Sequence, residues 1–481
     1  MTRMCTFAVC LGLGISPLAL SGDPAGSARA TAEAWVNDQA ERITAISDAV
    51  WVHAELAFQE HRSSKLLADT LEEAGFTVRR GVAEMKTAFV AEFGEGRPVI
   101  AFLAEFDALP GLSQKAQPAR EPLVRGTPGH GCGHNLLGAA SVAAGIAVKE
   151  ALAKHHLPGR VVVFGTPAEE GGAGKVYMVR AGLFKDVDAV IAWHPGQTTR
   201  VHAGSCLAVK RARFRFHGAA AHASGSPEKG RSALDAVELM NIGANFLREH
   251  ITSETRIHYV ITNGGGRPNV VPEVAEVWYY ARAPRMAEAQ ATFQRIQEIA
   301  QGACLMTRTN FELREESGTY ETLPNQELAR LVDGHLKRVG APRFDEADRR
   351  FAAELRRNVG LDAGAPLDES VHDISFQRVM GSTDVGDVSW TVPTIEFGVT
   401  ARASGTAAHA WPFVACAGSR IGHKGCLTAT MVMAGSALEL IQQPDRLKPI
   451  RAEFEQRTKD FGYQSGIPAG AKPPERIDSE N

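Results

Sequence analysis

The sequence lacks several features that would assign it to a specialised class of protein. Its formal net charge is only −3, so nothing suggests nucleic acid or an anionic membrane as the main partner. The apolar run from Cys5 to Leu20 is too short to span a bilayer, and we expect no membrane partner. No internal repeats are visible. The seven cysteines do not have the spacing of a disulfide framework, and the five beyond residue 30 are an odd number, which leaves at least one thiol free.

Residues 1–30 are interpreted as a signal peptide. Arg3 precedes the apolar run, and Ala28-Arg29-Ala30 offers a cleavage site of small residues. The single positive charge and the long gap before this site are unusual, and the alternative is a mis-assigned start codon or a disordered leader. We expect a periplasmic or secreted protein if the leader is a signal peptide, and a cytoplasmic protein otherwise.

The chain has 481 residues, 44% hydrophobic and 22% charged, which is typical of a soluble globular protein with two domains. An Ala-rich helical stretch at 135–155 is followed by short apolar runs at 160–164 and 189–193. Such runs, alternating with helices, predict buried parallel strands of an α/β sheet. Residues 32–75 have apolar residues at helical spacing and end at Gly75.

The pattern changes after residue 207. Alternating strands enclose two helices in the order strand-helix-strand-strand-helix-strand, which is the ferredoxin-like pattern. The first strand carries basic residues that we interpret as its solvated face, namely Lys210, Arg211, Arg213 and Arg215. The predicted fold is therefore an α/β domain with a mostly parallel sheet (31–206 and 319–445), an inserted ferredoxin-like α+β domain (207–318) and a partly disordered tail (446–481).

The first chemical motif is the Gly-rich segment His-Gly-Cys-Gly-His-Asn at 130–135, which opens a helix. Cys132 and His134 lie two residues apart and can point into one cavity, and thiolate and imidazole are good zinc ligands. The helix N-terminus is expected to lower the pKa of the Cys132 thiol. The alternative is a tight glycine turn with a buried cysteine.

The second motif is the pair Glu169 and Glu170, directly after the apolar strand that ends at Phe164. Sites in open α/β sheets form beyond the carboxyl ends of strands. Two adjacent carboxylates are unfavourable unless a positive charge lies between them, and a metal ion would supply it. One glutamate would then bind the metal while the other acts as general base. The alternative is an exposed acidic loop.

Two further histidines follow apolar strands. His194 lies at the end of the 189–193 run, and His409 lies in a loop after the apolar stretch 394–399. His423 is a rival of His409 as a ligand, and the sequence alone does not separate the two. The segment 171–175 resembles a phosphate-binding loop, but it lacks the first glycine and has Val176 where Ser or Thr is required.

These motifs resemble those of the aminoacylase/carboxypeptidase-G-type metallopeptidases, in the amidohydrolase branch that has a Cys and a His in its first metal motif. The likeness runs from about residue 35 to about residue 445. Five motifs match in order, in the segments 53–60, 106–110, 130–134, 167–170 and 268–272. Here the stretch Glu105-Phe-Asp107 replaces the His-x-Asp of distant members, so we expect Asp107 to orient neighbouring residues.

The resemblance implies a role for each matching residue. The implied metal ligands are Cys132, His134, Glu170, His194 and His409. Glu169 would be the general base and then the proton donor. In the inserted domain, which would serve as lid and dimerisation domain, His222 would reach a partner's active site and stabilise the oxyanion. Asn269 would contact substrate, and Arg282 is our candidate for binding the substrate carboxylate.

The expected function is metal-dependent hydrolysis of an amide bond to a free amino-acid carboxylate, with p-aminobenzoyl-glutamate or a similar N-acyl amino acid as substrate. Two divalent ions per subunit are expected, manganese or zinc, with cobalt and nickel as alternatives. A homodimer through the lid is expected, or assembly with a related second subunit. The alternatives are a dipeptidase for dipeptides with a basic residue, a non-catalytic binding protein on the same fold, and a metal-independent hydrolase that uses Cys132.

Overall fold

The computed structural model describes residues 24–477. The helices are α1 (Pro24–Asp38), α2 (Ala40–His53), α3 (His61–Glu73), α4 (His134–His155), α5 (Gly174–Arg180), α6 (Ala233–Leu247), α7 (Met286–Thr307), α8 (Gln326–Val339), α9 (Glu346–Arg357), α10 (Val385–Ser389), α11 (Trp411–Ala417), α12 (Arg420–Gln442) and α13 (Leu447–Thr458). The strands are β1 (Thr77–Arg80), β2 (Phe89–Glu95), β3 (Val99–Ala104), β4 (Gly159–Gly165), β5 (Ala189–Gly196), β6 (Arg200–His202), β7 (Ala208–His217), β8 (Arg256–Asn263), β9 (Val274–Ala283), β10 (Asn310–Thr319) and β11 (Thr394–Thr400).

The larger domain is built on a seven-stranded sheet in the order β1-β2-β4-β3-β5-β11-β6. The four central strands β4, β3, β5 and β11 are parallel to one another, and the outer pairings are antiparallel. Both faces are covered, one by a core that includes α4 and α12 and the other by a core that includes α5 and α10. This burial explains why the central strands are almost entirely apolar, and the predicted α/β fold class is confirmed.

The smaller domain has a four-stranded antiparallel sheet in the order β10-β7-β9-β8, with α6 and α7 packed on one face. Its element order β7-α6-β8-β9-α7-β10 is the predicted ferredoxin-like pattern. The interpretation of its basic residues as a solvated face was wrong for three of the four. Lys210, Arg211 and Arg213 are 7%, 7% and 6% exposed, whereas Arg215 is exposed. The larger domain and neighbouring side chains cover Arg211 and Arg213, and Lys210 lies on the opposite face, over the Phe293 ring of α7.

The helical stretch predicted at 32–75 is divided into helices. Helix α2 ends at His53 and α3 begins at His61, and Ala54 and Phe58 between them have the positive φ angles 41° and 65°. The signal-peptide interpretation falls largely on residues 1–23, which lie outside the described residues. The proposed cleavage site lies inside α1, and Ala28 is fully buried in the core, so cleavage after Ala30 would remove a core side chain.

Two helices, α4 and α12, are long and apolar enough to cross a membrane by length and composition. Both are largely buried in the protein, with 83% and 72% of their most apolar windows covered, as expected of core helices. After α12, α13 packs against α8, and Glu453 accepts hydrogen bonds from the first backbone N–H groups of that helix. The segment predicted as a partly disordered tail then continues along the larger domain, with Ile467 buried, as far as Ile477.

Candidate metal centre and active-site cavity

The candidate site lies at the carboxyl ends of the parallel strands. The segment Glu105–Asp107 follows β3, Glu169 and Glu170 follow β4, His194 is near the end of β5, and the loop with His409 follows β11. Because parallel strands bring these ends to one edge of the sheet, residues far apart in sequence meet there. The turn before α4 adds Cys132 and His134. Gly133 in this turn has φ 77°, and an added Cβ would lie 2.7 Å from Pro195, so the turn requires glycine.

All five residues predicted as metal ligands are brought together. The donor atoms of Cys132, His134 and His194 lie within 4.8 Å of one another, as do those of Cys132, Glu170 and His409. Cys132 Sγ is 3.4 Å from His194 Nε2, and His409 Nε2 is 3.3 Å from Glu170 Oε1. The two triads share Cys132, so the cluster offers two adjacent positions for a cation. His423 is not in the cluster, since its Nε2 lies 2.7 Å from Asp48 Oδ1.

The donor set fits divalent metal ions. His134 Nε2 and Glu170 Oε1 are buried and make no well-aligned hydrogen bond within the described chain, although Glu105 and His409 lie 3.2 Å and 3.3 Å from them; buried polar atoms are normally satisfied. The helix N-terminus was expected to lower the pKa of the Cys132 thiol, and for the chain without a bound metal ion this prediction was wrong. Burial, followed by the nearby Glu170 carboxylate, raises the pKa of Cys132 far above its ordinary value. A cation is therefore needed to stabilise the thiolate in this position.

The Glu169 carboxyl group has the environment of a general base that needs a nearby cation. Burial, and after it the carboxylates of Glu105 and Glu170, raises the pKa of Glu169 well above its ordinary value. A positive charge at the donor cluster would oppose this effect and leave a carboxylate able to accept a proton near neutral pH.

A second layer of side chains holds these residues. Asp107 accepts the backbone N–H of Glu170 at 2.8 Å, and its other oxygen lies 3.0 Å from His134 Nδ1. This is the orienting position expected from the sequence. Burial opposes a charge on His134, but interactions with Cys132 and Asp107 outweigh it and raise the pKa of His134. Contact with Asp107 fixes the ring so that Nε2 faces the cluster.

Beneath the site lies an ion network that sequence reasoning missed. Lys175 is fully buried, and its Nζ is 2.6 Å from both Glu105 Oε1 and Asp384 Oδ1. The other oxygen of Glu105 is 3.2 Å from His134 Nε2. Burial opposes the ammonium charge, but the two carboxylates raise the pKa of Lys175, so it remains charged. The network therefore connects the floor of the site to the cluster through His134.

A cavity of about 1030 Å³ opens above the cluster, between the two domains. Its lining includes Cys132, Glu169, His194 and His409 from the larger domain, and Arg282 from β9 of the inserted domain. Arg282 is half-buried and donates a hydrogen bond to Ser382 Oγ at 3.0 Å. The predicted carboxylate-binding residue is thus placed in the same cavity as the predicted base.

The other two residues predicted in the inserted domain are not brought to this cavity. His222 and Asn269 are both exposed, and neither lines the cavity. The His222 ring accepts the backbone N–H of Gly225 at 3.1 Å through Nδ1, and the backbone carbonyl of Asn269 accepts the N–H of Ala223 at 3.0 Å. Their functions at a partner's site remain predictions.

The comparisons with known proteins agree with this geometry. Residues 101–417 match the model of Peptidase family M20/M25/M40. The chain belongs to this family. It is 41% identical over 461 residues to a subunit of p-aminobenzoyl-glutamate hydrolase of Escherichia coli (strain K12), with 90% of this chain and 96% of that protein covered. It is 31% identical over 436 residues to Xaa-Arg dipeptidase of Mus musculus, with 87% and 90% covered.

Among solved structures, the fold matches that of a dinuclear metal-binding peptidase of the M20 family from Bacillus subtilis. The TM-score is 0.58 at 18% identity, with 85% of this chain and 99% of that chain covered. At this identity the match bears on the fold alone. Family membership and the donor cluster together support a divalent-metal hydrolase that acts on amide bonds.

Proposed function

We propose that this M20 hydrolase cleaves the amide bond between an acyl group and a free amino acid, with p-aminobenzoyl-glutamate as its substrate. The observation that carries the proposal is the division of labour between two adjacent glutamates. Glu170 lies in the donor cluster with Cys132 and His409, whereas Glu169 is grouped instead with Glu105 and His134, outside both triads that share Cys132, and lines the cavity. The 41% identity to the p-aminobenzoyl-glutamate hydrolase subunit supports this choice of substrate.

We propose Cys132, His134, Glu170, His194 and His409 as the ligands of two divalent ions, with manganese or zinc as first candidates and cobalt or nickel as alternatives. The chemistry expected from ions bound here is polarisation of the scissile carbonyl and a lowered pKa of the attacking water. Glu169 accepts the proton of that water and returns it to the leaving amine. Arg282, which lies in the inserted domain, binds the carboxylate of the substrate.

In this proposal the inserted domain is also the dimerisation domain. His222 and Asn269 would then act across the dimer, where His222 stabilises the oxyanion and Asn269 contacts substrate. Their exposure in the isolated chain supports this arrangement, since a side chain that serves a partner must be accessible. Pairing with a second, different subunit is the alternative, since the name of the E. coli relative makes it one subunit of its hydrolase.

The test is hydrolysis of a substrate panel by purified protein with added manganese or zinc, with and without EDTA. The panel contains p-aminobenzoyl-glutamate, N-acetyl amino acids and dipeptides that end in arginine. EDTA-sensitive release of p-aminobenzoate is the expected result. Cleavage of only the arginine dipeptides would favour the activity of the Xaa-Arg dipeptidase relatives, and activity that survives excess EDTA would refute the metal-dependent mechanism.

The Glu169→Gln variant tests the base directly. We expect turnover to fall by at least about 10²-fold, because removal of a general base has an effect of this order. Metal content, measured by atomic emission, should stay at the level of the unmodified protein, since Glu169 is not one of the five proposed ligands. Near-normal turnover of this variant would end the assignment of Glu169 as base.

A further inference from the structure

One face of the sheet in the inserted domain is directed at the active-site cavity. In the register of β7 and β9, Arg211 lies opposite Tyr280, and Val209 lies opposite Arg282. Side chains alternate along a strand, so Arg211, Tyr280 and Arg282 share a face, and the other face packs on α6 and α7. All three line the same cavity as Glu169.

The basic residues of this sheet differ in how their charges are balanced. Lys210 lies 3.1 Å from Glu315, and Arg213 lies 2.7 Å from Glu316. By contrast, neither Arg211 nor Arg282 has a carboxylate partner among residues 24–477. They are the two guanidinium groups of this face that border the cavity.

Arg211 has unused hydrogen-bonding capacity. Its Nη1 donates to the backbone carbonyl of Gly171 at 2.8 Å and to Ser317 Oγ at 3.3 Å. Arg211 is only 7% exposed, and its Nε is buried and has no hydrogen-bond partner within the described chain. A buried donor without a partner is unfavourable, and a ligand that accepts its hydrogen bond would remove this penalty.

The two guanidinium groups also repel each other. Both contact the Tyr280 ring, with the Cζ atoms of Arg211 and Arg282 5.2 Å and 5.9 Å from its centroid. Burial, followed by the charge of Arg211, lowers the pKa of Arg282, and Glu169 is among the groups that act in the opposite direction. Two half-buried or buried positive charges without a counter-ion indicate a site for an anion, and a guanidinium matches the geometry of a carboxylate.

We propose that Arg211 and Arg282 each bind one carboxylate of a dicarboxylic amino acid, so that amides of glutamate or aspartate are preferred to amides of neutral or basic amino acids. Arg282 takes the α-carboxylate next to the scissile bond, and Arg211 takes the side-chain carboxylate. The inference rests on the proposed function and adds the residue that selects the leaving amino acid. The same pair repels the guanidinium of a substrate that ends in arginine.

The experiment compares p-aminobenzoyl-glutamate with p-aminobenzoyl-glutamine, which has nearly the same shape but a neutral side chain. For the unmodified protein we expect kcat/KM to favour the glutamate amide by about 10²-fold, the size of effect expected when a buried polar group is left unpaired. Arg211→Gln should reduce this ratio at least about tenfold. Arg215→Gln is the matched control, because Arg215 lies on the same strand but is exposed, and it should keep the ratio.

The ratio of kcat/KM for the glutamate amide to that for the glutamine amide distinguishes substrate selection by Arg211 from a purely structural function of this residue. If Arg211 only holds the Gly171 carbonyl, both amides will be cleaved more slowly by the same factor and the ratio will not change, which overturns the proposal. Should Arg211→Gln fail to fold, inhibition of the unmodified protein by glutarate and by butyrate gives the answer. Glutarate is expected to inhibit at least about tenfold more strongly, and equal inhibition by the two acids would overturn the proposal.

The assay also distinguishes this inference from the proposed function. Cleavage of both amides at equal kcat/KM would refute dicarboxylate selection and leave the amidohydrolase activity intact. Cleavage of neither amide would refute the proposed function itself.

Discussion

The buried lysine beneath the site gives the most demanding test of the structure. Lys175 lies between Glu105 and Asp384, and all three side chains are at most 3% exposed. In Lys175→Met the carboxylates lose the only ammonium group within ion-pair distance among the described residues. Glu105 keeps its contact with His134, and Asp384 keeps the backbone N–H of residue 175 at 2.9 Å. As a metal ligand His134 would be neutral, so neither contact would supply a full positive charge in the metal-bound protein.

The expected loss of stability follows from the burial of these charges. Removing one partner of a buried ion pair destabilises a protein by about 3–5 kcal/mol, because the remaining charge is uncompensated. The loss depends on pH with a definite sign. Without Lys175 the folded-state pKa of Glu105 is no longer held down, and that of Asp384, which burial already raises, rises further, so the variant loses stability as pH rises. We therefore expect a larger defect at pH 8 than at pH 5.

The assay is urea unfolding followed by tryptophan fluorescence at both pH values. Five of the six tryptophans lie outside residues 207–318, so the signal reports mainly on the larger domain. The control is Lys448→Met, which removes an exposed ion pair with Asp445 and should leave the midpoint unchanged. Adding Asp384→Asn to Lys175→Met should recover part of the loss, because one uncompensated carboxylate is removed.

Two outcomes would refute this reasoning. One is a Lys175→Met midpoint equal to that of Lys448→Met at pH 8, which would mean that water or local rearrangement neutralises the network. The other is a defect that is the same at pH 5 and pH 8, which would assign the loss to packing of the side chain and not to its charge.

Two other predictions concern a carboxyl group and a pair of histidines. Burial raises the pKa of Asp387 to about 7, so the folded state keeps a proton that the unfolded state releases, and stability falls between about pH 4 and pH 7. From the ordinary value of 3.8 this corresponds to about 4 kcal/mol, of which about 2–3 kcal/mol falls between pH 5 and pH 8. The stability of Asp387→Asn relative to the unmodified protein should thus improve by that amount from pH 5 to pH 8 in urea unfolding, and a constant difference would contradict the assignment. His409→Ala should lower the metal bound per chain, measured by atomic emission after dialysis, whereas His423→Ala should not, because His423 pairs with Asp48. Equal metal loss in both variants would remove His409 from the ligand set.

Sequence reasoning located the donor cluster because its signals are local. Cys132 and His134 share a glycine turn, and Glu169 and Glu170 directly follow an apolar strand. The rule that parallel strands place their carboxyl ends at one edge then predicts that these segments meet His194 and His409. The same rule explains why His423 was left as an alternative, since both histidines follow β11 in the sequence, and the rule does not show that His423 lies in α12 beside Asp48.

The ion network was not predictable in this way. Lys175 lies in a glycine-rich stretch that was considered only as a failed phosphate loop, and its partner Asp384 is 209 residues away along the chain. The alternation of β7 correctly indicated that Arg211 and Arg213 share a face. It did not show that another part of the protein covers that face, because alternation identifies two faces of a strand without saying what lies against each.

The order of strands in the large sheet has a consequence for folding of the protein during its synthesis on the ribosome. β11 lies between β5 and β6, yet it begins at Thr394, 198 residues after β5 ends at Gly196. At a synthesis rate of about 5–20 residues per second, this gap corresponds to roughly 10–40 s. Throughout that time the edge of β5 that will pair with β11 has no strand beside it, and before the interval ends all four strands of the inserted domain have been made. The growing chain therefore carries one finished domain next to an open sheet edge, and such an edge is a template for aggregation. Slower growth at low temperature, or supply of a chaperone that holds open edges, should raise the yield of soluble protein.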